Sequence, residues 1–284
     1  MLGRDRIQYK TPDQVRTMRR AGVVVGQTLE LMRDTVRAGL STRDLDQLAE
    51  EHIRASGATP SFLGYHGFPA SLCVSVNDEI VHGIPGPRVL HDGDVVSIDC
   101  GAIVDGWHGD AAITVIVGAP DAADPGDQRL VETTEQALWH GIAALRAGVR
   151  LHEVGAAVED LVVSRADDGG ALSPDGYGIV EEYVGHGIGT AMHQDPQVPN
   201  YRVRDKGVRV KPGLAVAVEP MLTRGDAATR VLADDWTVVS ADGSRAAHFE
   251  HTVAVGEHGL WVLTALDGGE SELGRLGAPY APLD

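Results

Sequence analysis

The chain has 284 residues, of which 43% are hydrophobic and 23% are charged, the usual balance of a globular protein. Its formal net charge of −17 argues against nonspecific nucleic-acid binding and against attachment to an anionic membrane surface. Because it has no apolar run of membrane-spanning length, no secretory signal and only two cysteines, we expect a protein of the reducing cytoplasm.

The predicted helices and strands come in two rounds along the chain. The first round contains helices at 12–33 and 42–55, then strands at 72–76, 94–102 and 111–117. The second round contains helices at 127–147 and 151–165, then strands at 179–184, 214–219, 237–240 and 249–255. Since helices and strands do not alternate one for one, the pattern favours an α+β fold over a doubly wound sheet.

An internal repeat relates these two rounds. The segment RAGLSTRDLDQLAEEHI from Arg37 resembles RAGVRLHEVGAAVEDLV from Arg146. Further on, GDVVSID from Gly93 aligns with GLAVAVE, and this alignment places Asp99 on Glu219. The repeat predicts a duplicated fold in which these two carboxylates end equivalent strands and face each other across a pseudo-twofold axis.

The stretch DVVSIDCGAIVDGWHGDAA, residues 94–112, predicts a β-hairpin that carries two aspartates. Asp105-Gly106 is typical of a two-residue hairpin turn, and counting outward places Gly101 opposite Asp110. Asp99 then lies diagonal to Asp110 on the same face. Like charges this close share either a proton or a cation. The alternative is that each aspartate only caps a turn.

Three further residues offer matching metal donors at strand ends. His186 lies in YVGHGIG, Glu219 ends LAVAVEP, and Glu250 lies within AHFEHTVAV. Four carboxylates and one imidazole form an oxygen-rich set that suits two divalent ions such as Mn, Fe or Co, with Zn tolerated. Two such ions about 4 Å apart lower the pKa of a bridging water, which is suited to amide hydrolysis.

With their surroundings SIDCG, HGDAA, GHGIG, VEP and FEHT, these five residues resemble the metal site of the type I methionine aminopeptidases. The resemblance runs from about Ile7 to Val255. It implies a duplicated pita-bread fold, in which a curved antiparallel sheet is flanked by two pairs of helices related by pseudo-twofold symmetry. It also implies a single catalytic metallopeptidase domain over 1–284, with a core of about 7–257 and a C-terminal tail at 258–284. We expect the last twenty or so residues to form a loosely packed surface segment.

The resemblance further implies a role for each metal donor. Asp99 would be a bidentate ligand of one metal, and Asp110 and Glu250 would bridge both metals. His186 and Glu219 would complete the other metal, and Glu219 would also take up a proton of the bridging water. The implied cofactors are two divalent cations per chain, drawn from Co, Mn, Fe or Zn.

On the substrate side, the resemblance implies that His82 and His193 stabilise the tetrahedral intermediate or carry protons. Without it, a histidine beside glycine, such as His82, is more often structural. The methionine side chain would lie in an apolar pocket formed by Phe62, Tyr65, Phe68, Cys73, Met192 and Trp236. Phe62 and Met192 depart from the family's frequent cysteine and aromatic residue, and both keep the pocket apolar.

The implied function is removal of the initiator methionine from nascent proteins whose second residue is small. The expected partners are N-terminal methionyl peptides and nascent chains, with transient ribosome contact, no stable nucleic-acid binding and no membrane, and we expect a monomer. Two alternatives remain open: an Xaa-Pro aminopeptidase of the same fold, and a metal-free binding protein. A serine or cysteine hydrolase is disfavoured because the chain has no Gly-x-Ser-x-Gly.

Overall fold

The computed structural model describes residues 7–119, 123–172 and 176–283. The α-helices in these ranges are α1 Pro12–Thr35, α2 Thr42–Ala55, α3 Pro125–Ala144, α4 Glu153–Ser164 and α5 Glu270–Arg275. Helix α1 begins at a capping box, in which the Thr11 hydroxyl accepts from the Gln14 N–H and the Gln14 side chain accepts from the Thr11 N–H. None of the helices in the described ranges is both long and apolar enough to cross a membrane.

The strands are short except for two, and every strand pair in the described ranges is antiparallel. They are β1 Thr59–Pro60, β2 Leu72–Val76, β3 Glu79–Val81, β4 Val95–Val104, β5 Trp107–Ile116, β6 Gly178–Ile179, β7 Gly185–Gly187, β8 Gln194–Val198, β9 Ala215–Val218, β10 Met221–Thr223, β11 Thr229–Val231, β12 Val238–Ser240, β13 Ala246–His248, β14 Glu250–Val255 and β15 Leu260–Val262. The long pair, β4 and β5, forms the hairpin that the sequence predicts.

The main sheet joins the two rounds of the chain at its centre. Its strand order is β1-β4-β5-β14-β9-β7-β8, with β2 paired to β4 and β15 paired to β14. Helix α1 packs on β4 and β5, whereas α3 packs on α4 and on β9. Strand β5 of the first round meets β14 of the second round where Ala112 lies opposite Glu250. The α+β class and the duplicated arrangement are therefore confirmed.

The hairpin register is the one predicted from its turn. Val104 lies opposite Trp107, and Gly101 lies opposite Asp110. A glycine lets the hairpin lie against α1, since a Cβ on Gly109 would be only 2.8 Å from the backbone nitrogen of Gly22. The two predicted aspartates therefore share one face of a strand pair that is buried along most of its length.

Several predicted boundaries differ from the observed ones. The predicted strand at 179–184 is mostly wrong, because only Gly178–Ile179 and Gly185–Gly187 pair as strands. The predicted helix at 127–147 begins earlier, at Pro125, where the Asp124 side chain accepts from the backbone N–H groups of Gly126 and Asp127. Apolar content alone misplaced these ends, because it carries no information about caps or strand partners.

The C-terminal tail is also more ordered than predicted. Strand β15 extends the main sheet, and Leu273 of α5 is completely buried. The Arg19 guanidinium of α1 donates to the backbone oxygens of Leu263, Ala265 and Leu266. The expectation of a loosely packed segment was therefore wrong for α5, although every other residue of 270–283 is at least partly exposed. Residues 1–6 and 284 of the predicted domain lie outside the described residues.

Candidate metal centre

The five predicted metal donors lie together at the centre of the main sheet. Asp99 and Asp110 come from the hairpin β4–β5, and Glu250 is the first residue of β14. His186 lies in β7, and Glu219 directly follows β9. All five are between 2% and 9% exposed, and all face one cavity of about 290 Å³. The structure thus unites donors from both halves of the chain.

Burial dominates the electrostatics of this cluster. It raises the pKa of Asp99 to about 7, and it raises the pKa values of Asp110, Glu219 and Glu250 well above their usual range. Neighbouring carboxylates add to the shift of the last three. Burial also lowers the pKa of His186 to about 3, which leaves its imidazole neutral at neutral pH. Four acids and a neutral imidazole this close form a site that favours cations.

Three donor oxygens of the described site lack hydrogen-bond partners in the protein. Among the described residues, Asp99 Oδ1, Asp110 Oδ1 and Glu250 Oε1 are buried and accept no hydrogen bond. Buried polar atoms are normally satisfied, and leaving one unpaired costs about 1–3 kcal/mol. Donor atoms of Asp110, His186 and Glu250 lie within 4.8 Å of one another, and His186 Nε2 is 3.5 Å from Glu219 Oε1. The residues therefore fit divalent metal ions by their chemistry, burial and spacing.

The two predicted substrate-side histidines border the same cavity. The Tyr65 hydroxyl bonds to Nδ1 of His193 at 2.8 Å, and the His193 ring centroid lies 4.3 Å from that of His186. His82 has a positive φ of 61°, and its ring packs edge-on against Tyr183 at 5.6 Å. Burial lowers the pKa of His82 to about 4 and also lowers that of His193, so both are neutral at neutral pH.

An apolar pocket adjoins the donors. All its predicted residues line the cavity, namely Phe62, Tyr65, Phe68, Cys73, Met192 and Trp236. Phe68 and Trp236 meet edge-to-face with 5.1 Å between ring centroids. Cys73 lies directly opposite Asp99 in the pairing of β2 with β4, so the pocket wall and a metal donor share one register. Neither Cys73 nor Cys100 is in a disulfide.

A glycine holds this wall close to the donors. A Cβ on Gly101 would lie 2.8 Å from Cε1 of Phe62 and 2.7 Å from Cβ of Ser61. Only glycine therefore lets Phe62 pack over the hairpin opposite Asp110. The hairpin sequence alone does not show why position 101 must be glycine, because Phe62 belongs to a separate loop.

Sequence reasoning missed three residues of the site. His66 and Val81 also line the cavity, and His248 lies behind it with Nε2 3.7 Å from Glu219 Oε2. His66, in GYHG, has a positive φ of 48°. The available signals were the GYHG segment for His66 and, for His248, its place two positions before Glu250 within AHFEHTVAV. The prediction assigned a role to neither histidine.

The family model for metallopeptidase family M24 matches residues 16–257. The chain belongs to metallopeptidase family M24. It is 46% identical to methionine aminopeptidase 1 of Bacillus subtilis over 90% of this chain and 98% of that protein. It is 49% identical to methionine aminopeptidase 1 of Mycobacterium tuberculosis over 93% of this chain and 97% of that protein.

Solved structures of the M24 family agree with these relatives. The crystal structure of methionine aminopeptidase from Thermotoga maritima matches with a TM-score of 0.85 and 38% identity, covering 92% of this chain and 100% of that one. An Xaa-Pro dipeptidase from Bacillus anthracis matches with a TM-score of 0.69 and 22% identity, covering 90% of this chain and 61% of that one. The second likeness shows a shared fold alone.

Proposed function

We infer that this protein hydrolyses the peptide bond after an N-terminal methionine. The observation that carries this conclusion is the cavity of about 290 Å³, which has metal donors on one wall and an apolar pocket on another. An apolar cavity with a few convergent polar groups is typical of a site that binds a small substrate group, here the N-terminal methionine. The extensive similarity to methionine aminopeptidases supports the same activity.

We propose that Asp99, Asp110, His186, Glu219 and Glu250 hold two divalent cations. Glu250 belongs to both groups of clustered donors, which supports a shared role for it. When bound, such ions supply a water of lowered pKa and polarise the scissile carbonyl. The identity of the ions remains among Co, Mn, Fe and Zn.

The remaining polar residues act on protons and on the substrate. Glu219 Oε1 lies 3.5 Å from His186 Nε2, and we propose that Glu219 accepts a proton from the attacking water. With Nδ1 of His193 bonded to Tyr65, its Nε2 is left to donate to or accept from the substrate amide. The proposed catalytic residues are therefore His82, His193 and Glu219. The neutral His82 ring packs against Tyr183 and Trp236.

The apolar pocket would bind the methionine side chain. A flexible thioether packs well against aromatic rings, and Phe68, Trp236 and Tyr65 supply them. Met192 and Phe62 are 3% and 6% exposed, so both fill the pocket from inside. We propose that the pocket selects methionine and that peptides with a small second residue are preferred.

The test compares release of the first residue from Met-Ala-Ser and from an Xaa-Pro peptide, with Mn²⁺ or Co²⁺ present. We expect turnover of the methionyl peptide and little of the prolyl one. Turnover of the prolyl peptide alone would instead establish the Xaa-Pro alternative. Metal analysis after Mn²⁺ loading addresses the other alternative, since zero stoichiometry would favour a metal-free binding protein.

We also propose that the protein meets nascent chains in the cytoplasm as a monomer, through transient contact with the ribosome. Free cysteines at 73 and 100 agree with a reducing compartment.

Although the chain is acidic overall, a surface formed by two loops is cationic. Its exposed basic residues are Arg146, Arg150, Arg202, Arg204, Lys206, Arg209 and Lys211. Arg202 pairs with Glu159 and Asp160, and the other basic residues on this surface still outnumber its two further exposed acids, Glu153 and Asp205. This cationic surface is suited to weak, salt-dependent contact with ribosomal RNA.

A further inference from the structure

His248, the last residue of β13, is a buried imidazole that packing does not explain. It is 1% exposed, and neither Nδ1 nor Nε2 has a hydrogen-bond partner among the described residues. Its backbone is held by Thr114, whose hydroxyl accepts from the His248 N–H at 2.9 Å and donates to its carbonyl at 2.7 Å. The backbone at His248 is therefore fixed while its ring is left unsatisfied.

Such a ring is costly unless something binds it. A neutral imidazole has one donor and one acceptor, and burying either without a partner destabilises the folded state. An apolar side chain at this position would avoid the cost, as the neighbouring Phe249 does. A neutral imidazole is the form that ligates metals.

The surroundings of the ring identify what it would bind. His248 Nε2 is 3.7 Å from Glu219 Oε2, which is too long for a hydrogen bond. Donor atoms of Glu219, His248 and Glu250 all lie within 4.8 Å of one another. This group shares Glu250 with the group formed by Asp110 and His186. Glu219 and Glu250 thus face His248 on one side and the cavity on the other.

We propose that His248 is a further nitrogen donor of the metal centre, acting with Glu219 and Glu250 on one of its ions. This inference rests on one part of the proposed function, namely that divalent ions bind at the metal centre. A second imidazole makes the donor set softer, because imidazole suits Zn and Fe whereas carboxylates and water suit Mg and Mn. The structure therefore favours ions from the softer end of the series.

The first test measures metal binding rather than turnover. Metal-stripped wild-type protein and the H248Q variant are titrated with Co²⁺, with calorimetry for affinity and visible absorption for the ligand field. Glutamine keeps a polar side chain of similar size but is a poor ligand. We expect at least one Co²⁺ to bind about 10–100-fold more weakly in H248Q, with a changed absorption spectrum.

His251 provides a matched control. It follows Glu250 directly, its side chain lies on the opposite face, and its Nδ1 bonds to the Thr264 hydroxyl at 2.8 Å. H251Q should bind Co²⁺ with wild-type affinity and spectrum. If the wild type binds Co²⁺ and H248Q shows the same Co²⁺ affinity and spectrum, His248 is not a ligand, and the proposed function is unaffected. A wild type that binds no divalent ion would overturn the proposed function as well.

A second measurement needs no variant and so does not depend on H248Q folding. In a crystal structure of the wild-type protein loaded with Zn²⁺, a nitrogen of His248 should lie about 2.0–2.1 Å from an ion. A ring that instead hydrogen-bonds Glu219, with every ion beyond contact distance, would make His248 a positioning residue and refute direct ligation.

Discussion

At the scale of single residues, the site consists of acids that the fold keeps out of water. Asp99, Asp110, Glu219 and Glu250 are buried together, and their neighbours include no cationic side chain that forms an ion pair with them among the described residues. Without a bound cation, these acids resist ionisation, because each loses hydration and faces further carboxylates. Their ionised form becomes stable when divalent cations replace the missing hydration.

The raised pKa values predict how stability depends on pH. Because burial raises the pKa of Asp99 from 3.8 to about 7, the metal-free folded state gains stability below pH 4 and loses it as pH rises through 7. In the metal-bound protein the acids stay ionised, so its stability does not fall in this way as the pH rises. We therefore expect the difference in Tm between Mn²⁺-loaded and metal-free protein to grow from pH 5 to pH 8, measured by calorimetry. A difference independent of pH would contradict the assignment.

Glu250 provides a direct test of the shared donor. Since it belongs to both donor groups, E250A should lose metal and with it metal-dependent turnover of Met-Ala-Ser. We expect activity to fall by at least about 100-fold, with metal content measured in parallel. Full activity in this variant would show that Glu250 has another role. E257A, on the turn after β14, is the control for loss of one exposed carboxylate.

His193 should separate catalysis from metal binding. Its ring bonds to Tyr65 and packs on His186, but it is not among the clustered metal donors. We expect H193A to lower kcat about 10²–10⁴-fold, the usual contribution of a proton-transferring side chain, while metal content stays near that of the wild type. Loss of metal from H193A would identify His193 as a ligand instead.

At the scale of elements, the C-terminal segment is part of the packed fold. Leu273 of α5 is fully buried in the main core, whereas Leu266 is 49% exposed. Removing a buried leucine side chain costs about 2–5 kcal/mol, so L273A should lower the free energy of unfolding by that amount. L266A removes the same atoms from the surface and should change it by less than about 0.5 kcal/mol. Urea denaturation of both variants measures the contrast.

Local signals predicted some elements well and others poorly. The Asp105-Gly106 turn predicted the register of the longest hairpin. The predicted helix starts at 12 and 42 match the observed ones, at which Thr11 and Ser41 are the N-caps. The tail was misjudged because its glycines and acids resemble a surface loop, while its anchor, Arg19 on α1, lies far away in sequence. Contacts of this kind have no local signature.

The candidate site was predictable for a related reason. Each proposed metal donor lies in a short segment that resembles a known family, so its identity could be recognised one residue at a time. The expectation of strand ends holds for Glu219 and Glu250, whereas Asp99, Asp110 and His186 lie within their strands. His248 and His66 could not, because their significance depends on neighbours that only the folded chain brings near. Motifs identify the donors, and packing identifies what surrounds them.

At the scale of the whole molecule, the proposed contact with ribosomes can be tested on the cationic surface. Arg204 and Lys206 are exposed on the cationic surface. R204E/K206E should cosediment less with ribosomes at low salt while keeping wild-type kcat/KM on Met-Ala-Ser, because it changes only phosphate contacts. R43E/R54E makes the same charge change on α2 and serves as the control. Equal cosedimentation of both variants would rule out this surface.

Because β5 and β14 join the two halves of the chain, we expect the lifetime of the folded protein to depend on the concentration of divalent cations. Asp110 and Glu250 come from different halves of the chain. Any opening that separates the halves therefore separates the donors and releases the bound ions. Ions that bind only the closed form favour it by about 2.7 kcal/mol at a hundredfold excess over Kd. In a cell starved of the right cation, the chain would therefore open more often, and proteases that cut opened chains would remove it sooner.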